Sequence, residues 1–292
     1  MRKLKYLLVA TIMSTTLLFG CGSNEEKSNL KELSAQELVE NVSKGEIKDT
    51  KSFEFTIDTA IDVSMGTAEL PMNIKGDLDV NGQIDIENKL LKLNASVDAM
   101  GQKLDVECFV SAAGETPTLY YKMNDTWTKQ TLEMDDIAGM FDPIESGETS
   151  TEDAKVEFEK ILEYLSGAKV ETKDDTYVLS GTIDFAKIME DMEKETVEES
   201  DEDAGAAVSG VLETLKDLKL NVKVVVNSDY TFNAFEFSVD KFSTEVMGST
   251  MSINTLSIEI SVDKYNKIDT IKIPEDALNA PESDFSGILG IM

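Results

Sequence analysis

Histidine is absent from this 292-residue chain, and Arg2 is its only arginine. Without imidazole there is no Ser/His/Asp or Cys/His nucleophilic machinery, and the commonest zinc ligand is missing. Once the first 20 residues are removed, no guanidinium fork remains to grip a phosphate or carboxylate from two sides. A single tryptophan, Trp127, gives little support for stacked sugar platforms, and neither a G-x-S-x-G elbow nor a phosphate-cradling glycine loop is present. Cysteine is nearly absent too, with Cys21 and Cys108 the only two. Basic residues number 27 against 57 acidic ones, a formal charge of -30. Such an excess disfavours nucleic acid and anionic headgroups as surface partners.

What is there begins at the N-terminus. Arg2, Lys3 and Lys5 precede an apolar run from Tyr6 to Phe19 and the small residue Gly20, the three parts of an export signal. The run is shorter than the roughly 20 residues a membrane span needs. Leu18-Phe19-Gly20-Cys21 resembles a bacterial lipobox, which implies cleavage before Cys21 and a diacylglyceryl thioether on its sulfur. Stable anchoring takes more than one acyl chain, and that modification supplies at least two. The expected organisation is a signal peptide over 1–20, a lipidated tether over 21–29 and one domain over 30–292, held at the extracytoplasmic face of the cell membrane. Cleavage removes three basic residues and no acidic ones, leaving 24 lysines against the 57 acids. With Cys21 acylated, Cys108 has no intramolecular partner. About 260 residues must then hold together by core burial alone, which a chain of that size can do.

Ser34-Ala35-Gln36-Glu37 matches a capping box, and Leu38, Val39 and Val42 share a face behind it, so a helix is expected to about Lys44. From Ser52 the period becomes two, with Phe53, Phe55, Ile57, Ile61, Val63 and Met65 alternating with polar residues. Leu70, Met72, Ile74, Leu78 and Val80 continue the pattern. Asn81-Gly82 reads as a tight hairpin turn, and a parity slip near Asn88-Lys89 as a bulge or a bend. Leu104 to Val110 places Cys108 on the same side as Leu104, Val106 and Val110, a small core residue. Thr118 to Met123 turns through Asn124-Asp125 into Trp127-Thr128-Lys129. Helical segments are expected around Glu152 to Leu165, from Phe185 to Val197 and from Ala204 to Leu218, with strands over Tyr177 to Ile183, Leu220 to Val226, Phe232 to Val239, Met251 to Val262 and Ile268 to Ile273. The order argues for an α+β fold, a large curved antiparallel sheet with helices on its concave face.

A short N-terminal helix, a long meander with the Tyr120-Tyr121-Lys122-x-Asn124-x-x-Trp127-x-Lys129 hairpin, intervening helices and an ending in Ile271-Lys272-Ile273-Pro274-Glu275 resemble the LolA/LppX half-barrel lipoproteins. More narrowly, the pattern is similar to Gram-positive lipoproteins of the Firmicutes. The likeness covers roughly residues 30 to 278. It implies a cavity between sheet and helices that holds lipid or another hydrophobic ligand. Carriers of the LolA type use an arginine near the cavity, and the mature chain has none, so lipoprotein shuttling is not expected.

Candidate lining residues are Phe53, Phe55, Ile57, Met72, Ile74, Phe235 and Phe237, an apolar stripe whose simpler role is packing against helices. Tyr120, Tyr121 and Trp127 are candidates for an aromatic rim, or for plain cross-strand pairing. Asp201-Glu202-Asp203-Ala204-Gly205 holds a fragment of a calcium loop without its closing ligands and reads as an acidic connector. No catalytic residue, metal or cofactor is expected. The favoured function is a non-catalytic, membrane-anchored binding protein for a lipid. The alternatives are an envelope interaction or sensor module with a filled core and, behind it, a carboxylate-based hydrolase.

Overall fold

A computed structural model describes residues 30–44, 50–67, 70–114, 116–132, 162–184, 217–246 and 249–282. The expected signal peptide, the tether, the helical segments within 152–161 and 185–216 and the acidic connector at 201–205 lie outside these residues.

Helix α1 (Ala35–Lys44) starts where its capping box is. The Glu37 carboxylate accepts the Ser34 amide at 2.9 Å, the Glu37 amide donates to the Ser34 hydroxyl at 3.2 Å, and Leu38 N–H closes the first turn on Ser34 O. The Ser34 amide and then its hydroxyl, which also donates to the carboxylate at 2.9 Å, hold the Glu37 carboxyl below the usual range.

Twelve strands follow: β1 (Ser52–Thr67), β2 (Leu70–Asp85), β3 (Leu90–Ala99), β4 (Gln102–Ser111), β5 (Thr118–Met123), β6 (Thr126–Thr131), β7 (Leu165–Lys173), β8 (Thr176–Asp184), β9 (Lys219–Asn227), β10 (Phe232–Val239), β11 (Phe242–Val246) and β12 (Ser249–Asp263). A four-residue helix, α2 (Glu275–Leu278), is the last element among the described residues. All the pairings are antiparallel, in the spatial order β6-β5-β4-β3-β2-β1-β12-β10-β9-β8-β7, with β11 beside the N-terminal part of β12. The sheet does not close, and the fold is an open half-barrel of the α+β class.

The long meander departs from its expected turns in two places. Asn81-Gly82 lies inside β2, opposite Thr56 and Phe55 of β1. Packing overrides turn chemistry here: a Cβ on Gly82 would lie 2.1 Å from the Phe55 ring, so the glycine is the ring's seat. The reversal comes instead at 86–89, where the Asp85 carboxylate accepts the Asn88 amide at 3.0 Å and Lys89 takes a positive φ. The parity slip read as a bulge or a bend is this turn. Further on, residues 268–273 belong to no strand, although Ile271 is buried, and the hairpin partner β11 appears where no strand was read. Asn124-Asp125 does make the expected tight turn, both residues having positive φ.

Both sheet edges are blunted. At β6, Lys129 N–H donates to Pro281 O at 3.1 Å and its ammonium to Leu278 O at 3.3 Å, so the C-terminal segment lies along the edge. At β7, a register shift between Ser166 and Lys169 and the charges of Lys169, Glu171 and Lys173 discourage further pairing. The main core joins α1, through Leu38, Val39 and Val42, to Phe53, Tyr177, Leu179, Val222, Val224, Phe232, Phe235 and Val262.

Gly82→Ala is expected to destabilise the fold by about 1–3 kcal/mol, read as a lower denaturant midpoint. A double-mutant cycle with Phe55→Leu should show coupling of at least about 0.5 kcal/mol, and additivity would mean that the ring does not rest on this glycine.

Candidate functional site

Register, more than sequence distance, defines the two surfaces of the sheet. On one, Phe55 stands beside Val262 and Gly82, Gly82 beside Leu93, Leu93 beside Cys108 and Cys108 beside Tyr121. In the other direction Ile260 is level with Phe235, Phe235 with Val224 and Val224 with Leu179. Every lysine, aspartate and glutamate within the described strands falls on the opposite surface. Thus one face of the sheet is uncharged across its width and mainly apolar from β5 to β8, while β6 adds Thr126, Thr128 and Gln130 to it.

That face is finished differently at its two ends. Around α1 it is a packed core, with Phe53 only 2% and Phe235 8% exposed. Phe55 and Phe237 pack against this cluster from partly buried positions. Ile57 is likewise half-buried. At the far end, where β1 pairs with the start of β2, Val63 is opposite Ile74 and Met65 opposite Met72 and Met251. There the side chains stand open: Met72 is 55% exposed, Ile74 44%, and Ile61, Met65 and Leu104 are also exposed. The candidate lining residues therefore share one face but divide into a filled half (Phe53, Phe55, Phe235, Phe237), a middle position at Ile57 and an open half (Met72, Ile74). Ile61, Met65 and Leu104 join the open half through pairing and parity, which single-strand reading does not combine.

The three rim candidates do not come together. Tyr121 is buried on the apolar face, whereas Tyr120 and Trp127 point to the polar one, because successive residues of a strand alternate. On the polar face Trp127 packs against Phe109, ring centroids 5.9 Å apart, and the Lys92 ammonium lies 5.8 Å over the Phe109 ring. These aromatics sit beside the C-terminal segment that runs along β6 and do structural work. Cys108 is a partly buried thiol whose pKa is pushed up to about 11, first by desolvation and then by Glu107. It stays protonated and inert.

The polar face carries one electrostatic oddity. Glu236 is opposite Glu259, Glu259 opposite Asp58, and Asp58 opposite Asp79, a transverse row of four carboxylates. Lys223 reaches one end of it, 2.8 Å from Glu236. Like charges directly opposite destabilise a sheet, and the Asp58 carboxyl is correspondingly raised, by partial burial and by Asp79. Elsewhere Lys264 and Gln83 hold the Glu54 carboxylate, at 2.9 and 3.1 Å, and lower its pKa, while Asp77 stands opposite Asp98 across β2 and β3. Two solvent-open hollows of about 330 and 440 Å³ also lie on this face, lined mainly by amides, hydroxyls and charges such as Asn81, Asn94 and Lys122 in the first and Lys169 and Asn221 in the second. No group of three or more metal-ligating side chains occurs among the described residues.

Fold and face together define an open half-barrel with an apolar lining on which α1, among the described residues, packs at one end. Residues 34–282 match the family described as "Family of unknown function (DUF6612)", and the chain belongs to that family. Among solved structures it is similar to a β-barrel-like protein of the domain of unknown function DUF1849 from Brucella abortus, at 6% identity over 72% of this chain and 99% of that one, with a TM-score of 0.22. No curated protein matches the chain.

Because the native state favours protonated Asp58, stability contributed at this site increases as pH falls toward the ordinary aspartate range and is absent at neutral pH. Asp58→Asn is therefore expected to raise stability at pH 7 by a few tenths to about 1 kcal/mol, with the gain shrinking as pH drops toward 4. Thermal melts across that range check it, and a constant difference would contradict it.

Proposed function

We propose that this protein is a membrane-anchored, extracytoplasmic binding protein of the LolA/LppX half-barrel type, non-catalytic, that holds a lipid or other hydrophobic ligand on the apolar face of its sheet. The observation that carries the proposal is the open half of that face, where Met72, Ile74, Met65 and Ile61 stand exposed on the adjoining strands β1 and β2, with Leu104 exposed two strands away on β4. Large apolar side chains gathered in one exposed patch mark a site that something apolar covers. Methionines suit the task because a flexible thioether adapts to an acyl chain of variable shape.

The anchor places such a site within reach of lipid. No described helix is long and apolar enough to cross a membrane, and the lipobox-like Leu18-Phe19-Gly20-Cys21 supplies the attachment. Residues 22–29 then act as a tether.

The packed half supports a second reading, an interaction or sensor module of the envelope. There Phe53 and Phe235 are filled by α1 and by their neighbours and leave no room for a ligand. A binding site confined to the open half fits both facts.

Two measurements test the proposal. Cys21→Ser is expected to abolish palmitate labelling and to move the protein from the membrane to the soluble fraction, and a serine variant that stays labelled would place the anchor elsewhere. Native mass spectrometry with lipid extraction on residues 22–292, purified without detergent, should find a stoichiometric lipid that Ile74→Glu loses. Ile74 is exposed, so that change should cost no more than about 0.5 kcal/mol of stability. A chain that holds no lipid and takes up neither neutral nor anionic acyl probes would overturn the binding role.

A further inference from the structure

The open end of the sheet is built unlike the rest. The row through Ile61 runs without a break from Ala99 of β3, by Gly76 and Leu256, to Leu220 and Leu165 at the far edge. Among the described residues it is the last row to do so. Beyond it only β2, β1, β12 and β11 continue, as a narrow ribbon that ends at Thr67 and Val246.

The ribbon has two unlike faces. On one, Met72 is level with Met65 and Met65 with Met251, and next to them Ile74 is level with Val63 and Val63 with Ile253. On the other, the Ser243 and Ser252 hydroxyls meet at 2.8 Å and the Asn254 amide donates to Asp62 at 3.0 Å, so polar groups there pair within the ribbon. Residues 61–76 and 242–256 hold Asp62, Glu69, Lys75 and Glu245 as their only charges, in a chain 29% charged. This end therefore brings little of the chain's charge of -30 to a surface it meets.

Such a face fits a bilayer better than a protein. Its two rows on these strands cover roughly 15 by 20 Å, well below the roughly 800 Å² a side of a stable protein interface. A bilayer needs no matching shape, and an amphipathic element lies in its interface plane with the apolar side about 5–10 Å deep. The attachment has the reach. Helix α1 packs at Phe53, roughly 40 Å along β1 from Met65, and the tether over 22–29 spans up to about 26–29 Å. The long axis can then lie along the membrane with both ends at its surface.

We infer that the ribbon at the open end of the sheet docks on a lipid bilayer, with Met65, Met72 and Ile74 set between headgroups and acyl chains. The docking rests on the ribbon's own two faces. That it is also the route by which lipid enters the apolar face rests on the binding role proposed above.

The test uses lipid-stripped residues 22–292, without Cys21 so that no acyl chain does the binding, and vesicles of phosphatidylcholine, plain or brominated along the acyl chain. Tryptophan reports from two neighbouring exposed residues on opposite faces of β2, Met72→Trp and Asn73→Trp. Met72→Trp emission is expected to shift to the blue on adding vesicles and to be quenched at least about twofold by the brominated lipid, while Asn73→Trp and the wild-type Trp127 change little. Met65→Glu combined with Met72→Glu should lower vesicle affinity at least about tenfold. A Met72→Trp protein that ignores saturating vesicles, equal quenching of both reporters, or a double variant that binds like the wild type would overturn the docking. So would Met72→Trp emission already blue without vesicles, since the ribbon is then covered, by a second copy if dilution reverses the shift and by another part of the chain if it does not. The binding role is separable. A chain that keeps stoichiometric lipid in native mass spectrometry yet ignores vesicles loses only the docking, and one that docks yet carries no lipid loses only the binding role.

Discussion

The pairing of β1 with β12 is the contact on which the rest of the sheet hangs. One meander, β2 to β6, grows from one side of β1, and the other, β10 back to β7, grows from the far side of β12. Only this seam joins them within the ladder. It brings Thr56 and Ser261, 205 residues apart, to a 2.7 Å hydroxyl contact. Next to it the Asn266 side chain accepts the Lys51 amide at 2.6 Å, and Lys264 reaches Glu54. Tyr265 packs toward Phe53, and its hydroxyl donates to Phe232 O at 2.6 Å; burial first, then Asp229 and Asp263, raise its pKa and keep the phenol protonated. Closing so long a loop costs chain entropy before any contact offsets it. A seam with hydrogen bonds, an ion pair and a hydrophobic row offsets that cost over its whole length.

The seam also fixes parity. A slip of one residue between β1 and β12 would turn Phe53, Phe55 and Ile57 out to solvent and bring Glu54 and Asp58 into the core. The single irregularity, between Asp62 and Val63, is absorbed at Asn254, whose amide donates to Asp62 at 3.0 Å. Beyond that point the apolar face continues, and α1 packs only on the half around Phe53. The same register that lines up the apolar row on one surface lines up Glu236, Glu259, Asp58 and Asp79 on the other, so strain on the polar face accompanies order on the apolar one.

Much of this was legible in the chain. The capping box at Ser34 and Glu37, the period-two runs, the Asn124-Asp125 turn and the α+β class follow from local rules. Asn81-Gly82 misled because its glycine serves a ring on the neighbouring strand, a tertiary fact that no local pattern encodes. The aromatic triplet Tyr120, Tyr121 and Trp127 was visible as residues, but a rim would need them on one surface and alternation divides them. The split of the lining into filled and open halves was hidden for another reason. It depends on where α1 docks, and Leu38, Val39 and Val42 reveal an apolar helix face without naming the strands it meets.

Oxidative footprinting of the methionines measures the open half most directly. Met65 and Met72 lie on it, while Met100, 72% exposed in the β3–β4 turn, reports general accessibility. In lipid-stripped protein exposed to dilute peroxide, Met65, Met72 and Met100 should all form sulfoxide readily. After loading with lipid, Met65 and Met72 should be protected while Met100 reacts as before. Unchanged reaction of Met65 and Met72 on loading, or their protection in the stripped protein, would contradict an open apolar face that a ligand covers.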